Sequence, residues 1–135
     1  MPFDPEQRER RSWSPASRAA SVRDACRGIA HVVRTEPHAQ VHLAATVAVV
    51  ALGLWLGLSL AAWGLIAGAI GLVWVAEALN TAIERLCDAV HPEDHALIGR
   101  AKDAAAGGVL LASVAAAAIG LLVLWPAVWA RFFGG

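Results

Sequence analysis

Polar and apolar positions divide this chain into stretches of different period. From Ala16 to about Arg34, apolar residues recur every three or four positions (Ala19, Val22, Cys26, Ile29, Ala30, Val33), with Arg18, Arg23, Arg27 and Arg34 on the other side. That pattern predicts an amphipathic helix over about 16–34, lying on a membrane surface. Pro37 then interrupts the helix. From Leu43 to Ala76 there is no charged residue, a run of 34 positions. One helix needs only about 20 residues to cross the hydrocarbon core. Two spans are therefore expected, at about 39–56 and 60–89, joined by a tight turn near Gly57-Leu58-Ser59. A third, at about 96–125 and uncharged from Ala104, is expected to end at Pro126. Gly107, Gly108, Ala112, Ala115, Ala116 and Gly120 give it small surfaces for close helix packing. Residues 1–15 are polar and proline-bearing and are expected to form a disordered tail, leaving 16–135 as one membrane domain. The first 40 residues lack an apolar signal-peptide core, so insertion is expected to rely on the spans.

The second span ends on a polar stripe. A helix turns about 100° per residue. With Glu77 at zero, Asn80 falls near −60°, Glu84 near −20° and Asp88 near +20°, a stripe about 80° wide on a greasy helix. Carboxylates at membrane depth are expensive and are kept for function.

Composition and charge set the frame for that stripe. The chain is 58% hydrophobic and 16% charged, too greasy for an ordinary small soluble domain. Net charge is zero, so there is no basic nucleic-acid footprint. Residues 1–36 carry seven arginines, residues 85–103 carry Arg85, Arg100 and Lys102, and only Arg131 follows Asp103. With three spans, the N-terminus and the 85–103 loop share one side, and their positive charge makes that side cytoplasmic. Cys26 and Cys87 both fall near it and are expected to be reduced and structural. The six tryptophans read mostly as interface anchors.

Glu77, Glu84, Asp88 and Asp103 converge on the cytoplasmic end of the spans, with Lys102 and Arg100 beside them and Glu36 entering at the same level. Carboxylates there suit Mg²⁺, which takes one or two of them together with nucleotide phosphates. A lysine can hold a phosphate, and a carboxylate can serve as general base on a lipid hydroxyl. These are the parts of a phosphoryl-transfer site, although neither a Walker A sequence nor a kinase Gly-rich loop is present. His91, Glu93, Asp94 and His95 lie too close in sequence to wrap one tetrahedral zinc ion. Two other classes compete: a cation-handling membrane protein and a purely structural subunit. An ion path needs polar residues across the bilayer, and Leu43–Ala76 offers only Thr46 and Ser59.

The succession Glu77-Ala-Leu-Asn80-Thr-Ala-Ile-Glu84-Arg-Leu-Cys-Asp88, then His95, then Ala101-Lys102-Asp103-Ala-Ala-Ala-Gly107, resembles the signature of the small bacterial integral-membrane lipid kinases, the diacylglycerol kinase and undecaprenol kinase family. The resemblance covers about residues 21–126. The Glu36…His42-Leu43 entry and the Ile119–Pro126 ending look more like the undecaprenol kinase branch. It implies an all-α membrane protein with an N-terminal amphipathic surface helix and three transmembrane helices, forming a homotrimer with active sites shared between subunits. It implies ATP-dependent phosphorylation of a lipid alcohol, undecaprenol in preference to diacylglycerol. Glu77 takes the place of the general base. Glu36 and Glu84 take the Mg²⁺ positions. Arg27, Glu36, Asn80, Glu84, Asp88, Glu93, Asp94, His95, Lys102 and Asp103 take positions around ATP. Gln40 and Ala106 join Glu77 around the lipid. The chain departs from the family pattern at Asp24, where an aromatic residue is usual, and at His38 and Gln40.

Overall fold

The computed structural model describes residues 15–91, 93 and 95–134. Within them the chain forms four helices: α1 Pro15–Thr35, α2 Pro37–Leu56, α3 Leu60–Val90 and α4 Ala96–Phe133. The expected tail at 1–15 lies outside the described residues, except for Pro15, which opens α1.

Each junction follows from local chemistry. Glu36 is extended and caps α2, and Pro37 occupies its first turn, where a missing N–H costs nothing. At the other end of α2, Gly57 adopts φ 67°, ψ 45°. The Gly57 and Leu58 amides then donate back to the carbonyls of Leu54 and Gly53, both at 3.2 Å, closing the helix with a left-handed glycine. Ser59 Oγ accepts from the Ala62 amide at 3.3 Å and starts α3. The hairpin closes tightly at Gly53, where an added Cβ would stand 2.9 Å from the Trp63 ring and 3.0 Å from the Leu58 side chain.

Packing is uneven. α3 and α4 make the most extensive contact, and α2 touches both more lightly. The buried residues of α3 are Ile66, Ala69, Val73, Glu77 and Thr81. Their spacing of three or four places them on a single face. Ala112 of α4 and Ala39 and Gly53 of α2 are also buried. Most other large apolar residues face outward, among them Leu60, Leu111 and Leu122. That is an inside-out distribution for a protein in water and the expected one in lipid. α2, α3 and α4, at 20, 31 and 38 residues, are each long and apolar enough to span a bilayer. The chain is a multi-pass membrane protein with one further helix, α1, which buries none of its residues.

The sequence expectation of a stop at Pro126 is corrected: α4 continues through it to Phe133. Proline removes one backbone donor, and membrane helices tolerate that loss. Side chains also support the continuation. Trp125, Trp129 and Phe133 meet as tilted ring pairs at successive four-residue steps, with ring centroids 6.3 Å and 4.7 Å apart. Phe132 meets Trp55 of α2 at 5.9 Å, and the Arg131 guanidinium lies 5.7 Å from the same ring. The outer ends of α2 and α4 are thus joined by an aromatic belt. Trp74 differs from these anchors: its Nε1–H donates to Thr46 Oγ1 at 3.2 Å, tying α3 to α2 at mid-span.

Candidate active site

A helix of 31 residues is about 46 Å long against a hydrocarbon core of about 30 Å. Counting about 20 residues from Leu60 reaches Leu79, so the polar stripe of α3 straddles the inner boundary. Glu77 lies on the core-facing side of α3 and is 2% exposed. Its Oε2 stands 4.0 Å from Nε2 of His42 on α2. His42 also lines an apolar groove of about 560 Å³ between α2, α3 and α4. Thr46, Ile66, Val73, Ser113 and Leu124 are among its walls. The groove follows the spans and brings its inner end to the residue that faces Glu77.

One turn further along, Asn80 Nδ2 donates to Glu84 Oε1 at 3.0 Å. The other end of the Asn80 amide, Oδ1, is buried and has no hydrogen-bond partner among the described residues. An orphaned amide oxygen beside a carboxylate offers oxygen donors that a hard cation accepts, and so these residues fit Mg²⁺. Among the described residues no group of three or more His, Cys, Asp or Glu gathers as a ready-made metal site. Glu36 meets a cation of the protein itself: Arg85 Nη2 donates to Glu36 Oε1 at 2.9 Å. That bond holds the Glu36 carboxyl below the usual carboxylate range, against the opposing effect of burial.

A second cluster gathers where α3 ends and α4 begins. Asp88, His91, Glu93, His95 and Lys102 line a polar cavity of about 320 Å³. Lys102 Nζ donates to Asp88 Oδ1 at 2.5 Å, joining the two helices. His95 caps α4, its Nδ1 accepting from the Leu97 amide at 3.3 Å. The cavity therefore combines a lysine with a helix N-terminus, two features that attract phosphate. Of the residues expected around ATP, Asp88, Glu93, His95 and Lys102 come together here, whereas Asn80, Glu84 and Glu36 stand elsewhere. Asp94 lies outside the described residues. Asp103, Gln40 and Ala106 are exposed. Arg27 is also exposed and pairs with Asp24 at 3.3 Å, so the unusual residue on α1 engages the arginine expected at the nucleotide.

Sequence reasoning gave no chemistry to His42 or Arg85. Each left a signal. His42 is the last polar residue before the uncharged run, and Arg85, at about +80° from Glu77, borders the stripe.

The family model for prokaryotic diacylglycerol kinase matches residues 23–124. An undecaprenol kinase of Bacillus subtilis is 43% identical over 100 residues, covering 74% of this chain and 81% of that protein. A diacylglycerol kinase of Synechocystis is 37% identical over 107 residues, covering 78% of this chain and 61% of that protein. A diacylglycerol kinase of Escherichia coli is 36% identical over 76 residues, 56% of this chain and 62% of that protein. With its three apolar spans, the chain belongs to the prokaryotic diacylglycerol kinase family, membrane phosphotransferases that act on lipid alcohols.

Proposed function

We propose that this chain transfers the γ-phosphate of ATP to undecaprenol at the cytoplasmic interface, yielding undecaprenyl phosphate. The observation that carries this reading is the buried Glu77 carboxylate, which faces His42 where that residue lines the inner end of an apolar groove. A lipid whose tail lies along the groove presents its hydroxyl at that depth. Preference for undecaprenol over diacylglycerol is supported by the greater likeness to the Bacillus subtilis undecaprenol kinase, in identity and in the share of that protein covered.

In this reading Glu77 accepts the hydroxyl proton as the lipid oxygen bonds to the γ-phosphorus. The bond from that phosphorus to the bridging oxygen breaks, and ADP leaves. Lys102 and the first amides of α4 hold phosphate oxygens. Asn80, Glu84 and Glu36 would hold Mg²⁺, and Asp88, Glu93, Asp94, His95, Asp103 and Arg27 would surround the rest of the nucleotide. Gln40 and Ala106 border the lipid headgroup. Bound Mg²⁺ neutralises charge on the phosphate oxygens. The working unit is a homotrimer, in which a neighbouring copy completes each site.

Incubating the purified protein with γ-labelled ATP and either lipid tests the reading. Faster labelling of undecaprenol is expected. Faster labelling of diacylglycerol overturns the substrate, and labelling of neither overturns the reaction. Transport of a cation without ATP turnover would favour the ion-path alternative.

A further inference from the structure

Arg85 has no part in the reaction as proposed, yet one face of its guanidinium serves a single short segment. Nη2 donates to Thr35 Oγ1 and to Glu36 Oε1, each at 2.9 Å. Nη1 meets His31 Nε2. All three partners belong to the last turn of α1 and the residue that follows it. α1 buries no residue, so core packing does not fix its position. A planar, permanently charged group with several donors can hold such a turn where apolar contact does not. The Thr35 hydroxyl lies 3.3 Å from the same Oε1 and 3.0 Å from the His31 carbonyl. Among the described residues, the hydrogen bonds on the Glu36 carboxylate thus converge on Oε1, a grip that leaves Oε2 for another ligand. A fork closed over both oxygens would shut that ligand out.

We propose that Arg85 is a positioning residue: by gripping His31, Thr35 and Glu36 it fixes the end of α1 against α3 and holds the Glu36 carboxylate ready for a divalent cation. The cation half of this inference rests on the reading of Glu36 as a metal ligand, and the mechanical half does not. Arg85 belongs to neither the groove nor the Lys102 cavity. It acts only through the residues it grips.

Two measurements on the full chain in detergent, without nucleotide or lipid, test this. Hydrogen exchange reads the joint itself. In Arg85→Ala, amides 31–36 should exchange about tenfold faster, the scale of losing a hydrogen bond to a charged group. Amides around Val73 and Ala112 should keep their wild-type protection. Arg85→Lys, which keeps the charge but not the fork, should fall between. Mn²⁺ binding by electron paramagnetic resonance reads the carboxylate. Affinity should fall about tenfold in Arg85→Ala. In an Arg85→Ala/Glu36→Gln double variant it should match Glu36→Gln alone, because the arginine acts through the carboxylate. Unchanged exchange at 31–36 overturns the proposal. Tighter Mn²⁺ binding in Arg85→Ala also overturns it, since Arg85 is then a competitor for Glu36. Wild-type Mn²⁺ affinity in Glu36→Gln overturns the metal reading of Glu36 and the cation half with it, whatever the exchange shows.

Discussion

At the scale of single residues, Glu77 occupies a position that packing alone would give to an apolar side chain. It stands four residues after Val73 and four before Thr81, both buried on the same face. An unpaired charge there costs several kcal/mol, of the order found for buried ions. His42 faces Glu77 across the α2–α3 interface. Glu84, one turn beyond Asn80, is half-buried and engages it directly. Glu84→Gln keeps the size and the helix but removes the charge. We expect Mg·ATP-dependent phosphorylation to fall by about 100-fold or more, as when a charged group of a reacting site is neutralised, while the mass of the oligomer stays constant. Retained activity would remove Glu84 from the cation site. The stripe itself was legible in the sequence, because Glu77, Asn80, Glu84 and Asp88 need only the helical period to share a face. The partners of Arg85 and His42 were not legible. A helical wheel gives a direction, and only tertiary packing decides which helix lies in it.

At the scale of elements, the α2–α3 hairpin and the end of α4 teach different lessons. Gly57 and Ser59 mark the hairpin in sequence because a left-handed residue and a hydroxyl cap are local requirements. The role of Gly53 is not local. It leaves room for the Trp63 ring, which arrives from the other helix. Gly53→Ala should therefore lower stability by about 1–3 kcal/mol through overpacking, read as a lower unfolding midpoint in detergent. Adding Trp63→Phe, which shortens the opposing ring, should recover most of the loss. An unchanged midpoint in Gly53→Ala alone would mean that the hairpin opens freely to admit a methyl group. Pro126 failed as a stop signal for a related reason. A proline ends a helix when the freed carbonyl has better company elsewhere, and the ring contacts of Trp125, Trp129 and Phe133 favour continuation.

At the scale of the whole molecule, the chain buries little of its apolar surface within itself. Leu110, Leu111, Val114, Leu121 and Leu122 of α4 are all exposed. Lipid can cover them, and so can further copies of the chain. For the proposed homotrimer, light scattering in detergent should return a protein mass of three chains of 14.1 kDa each. An active species of one or two chains would remove the shared sites from the reading. The all-α architecture with three spans could be read from hydrophobic run lengths alone, since the bilayer imposes a fixed length on each crossing. Helix-to-helix distances could not. α2 lies apart from α4 over much of its length, and the gap between them is the groove.

The direction of that groove has a consequence for how the reaction is dosed. Its walls run along the spans from His42 to Val128, within the thickness of the bilayer. A lipid alcohol that uses it reaches Glu77 by sliding sideways through the leaflet, and its product slides away in the same plane. The concentration that sets the rate is then the mole fraction of alcohol among neighbouring lipids. Diluting vesicles in buffer leaves turnover per enzyme unchanged, whereas diluting the alcohol with inert phospholipid slows it.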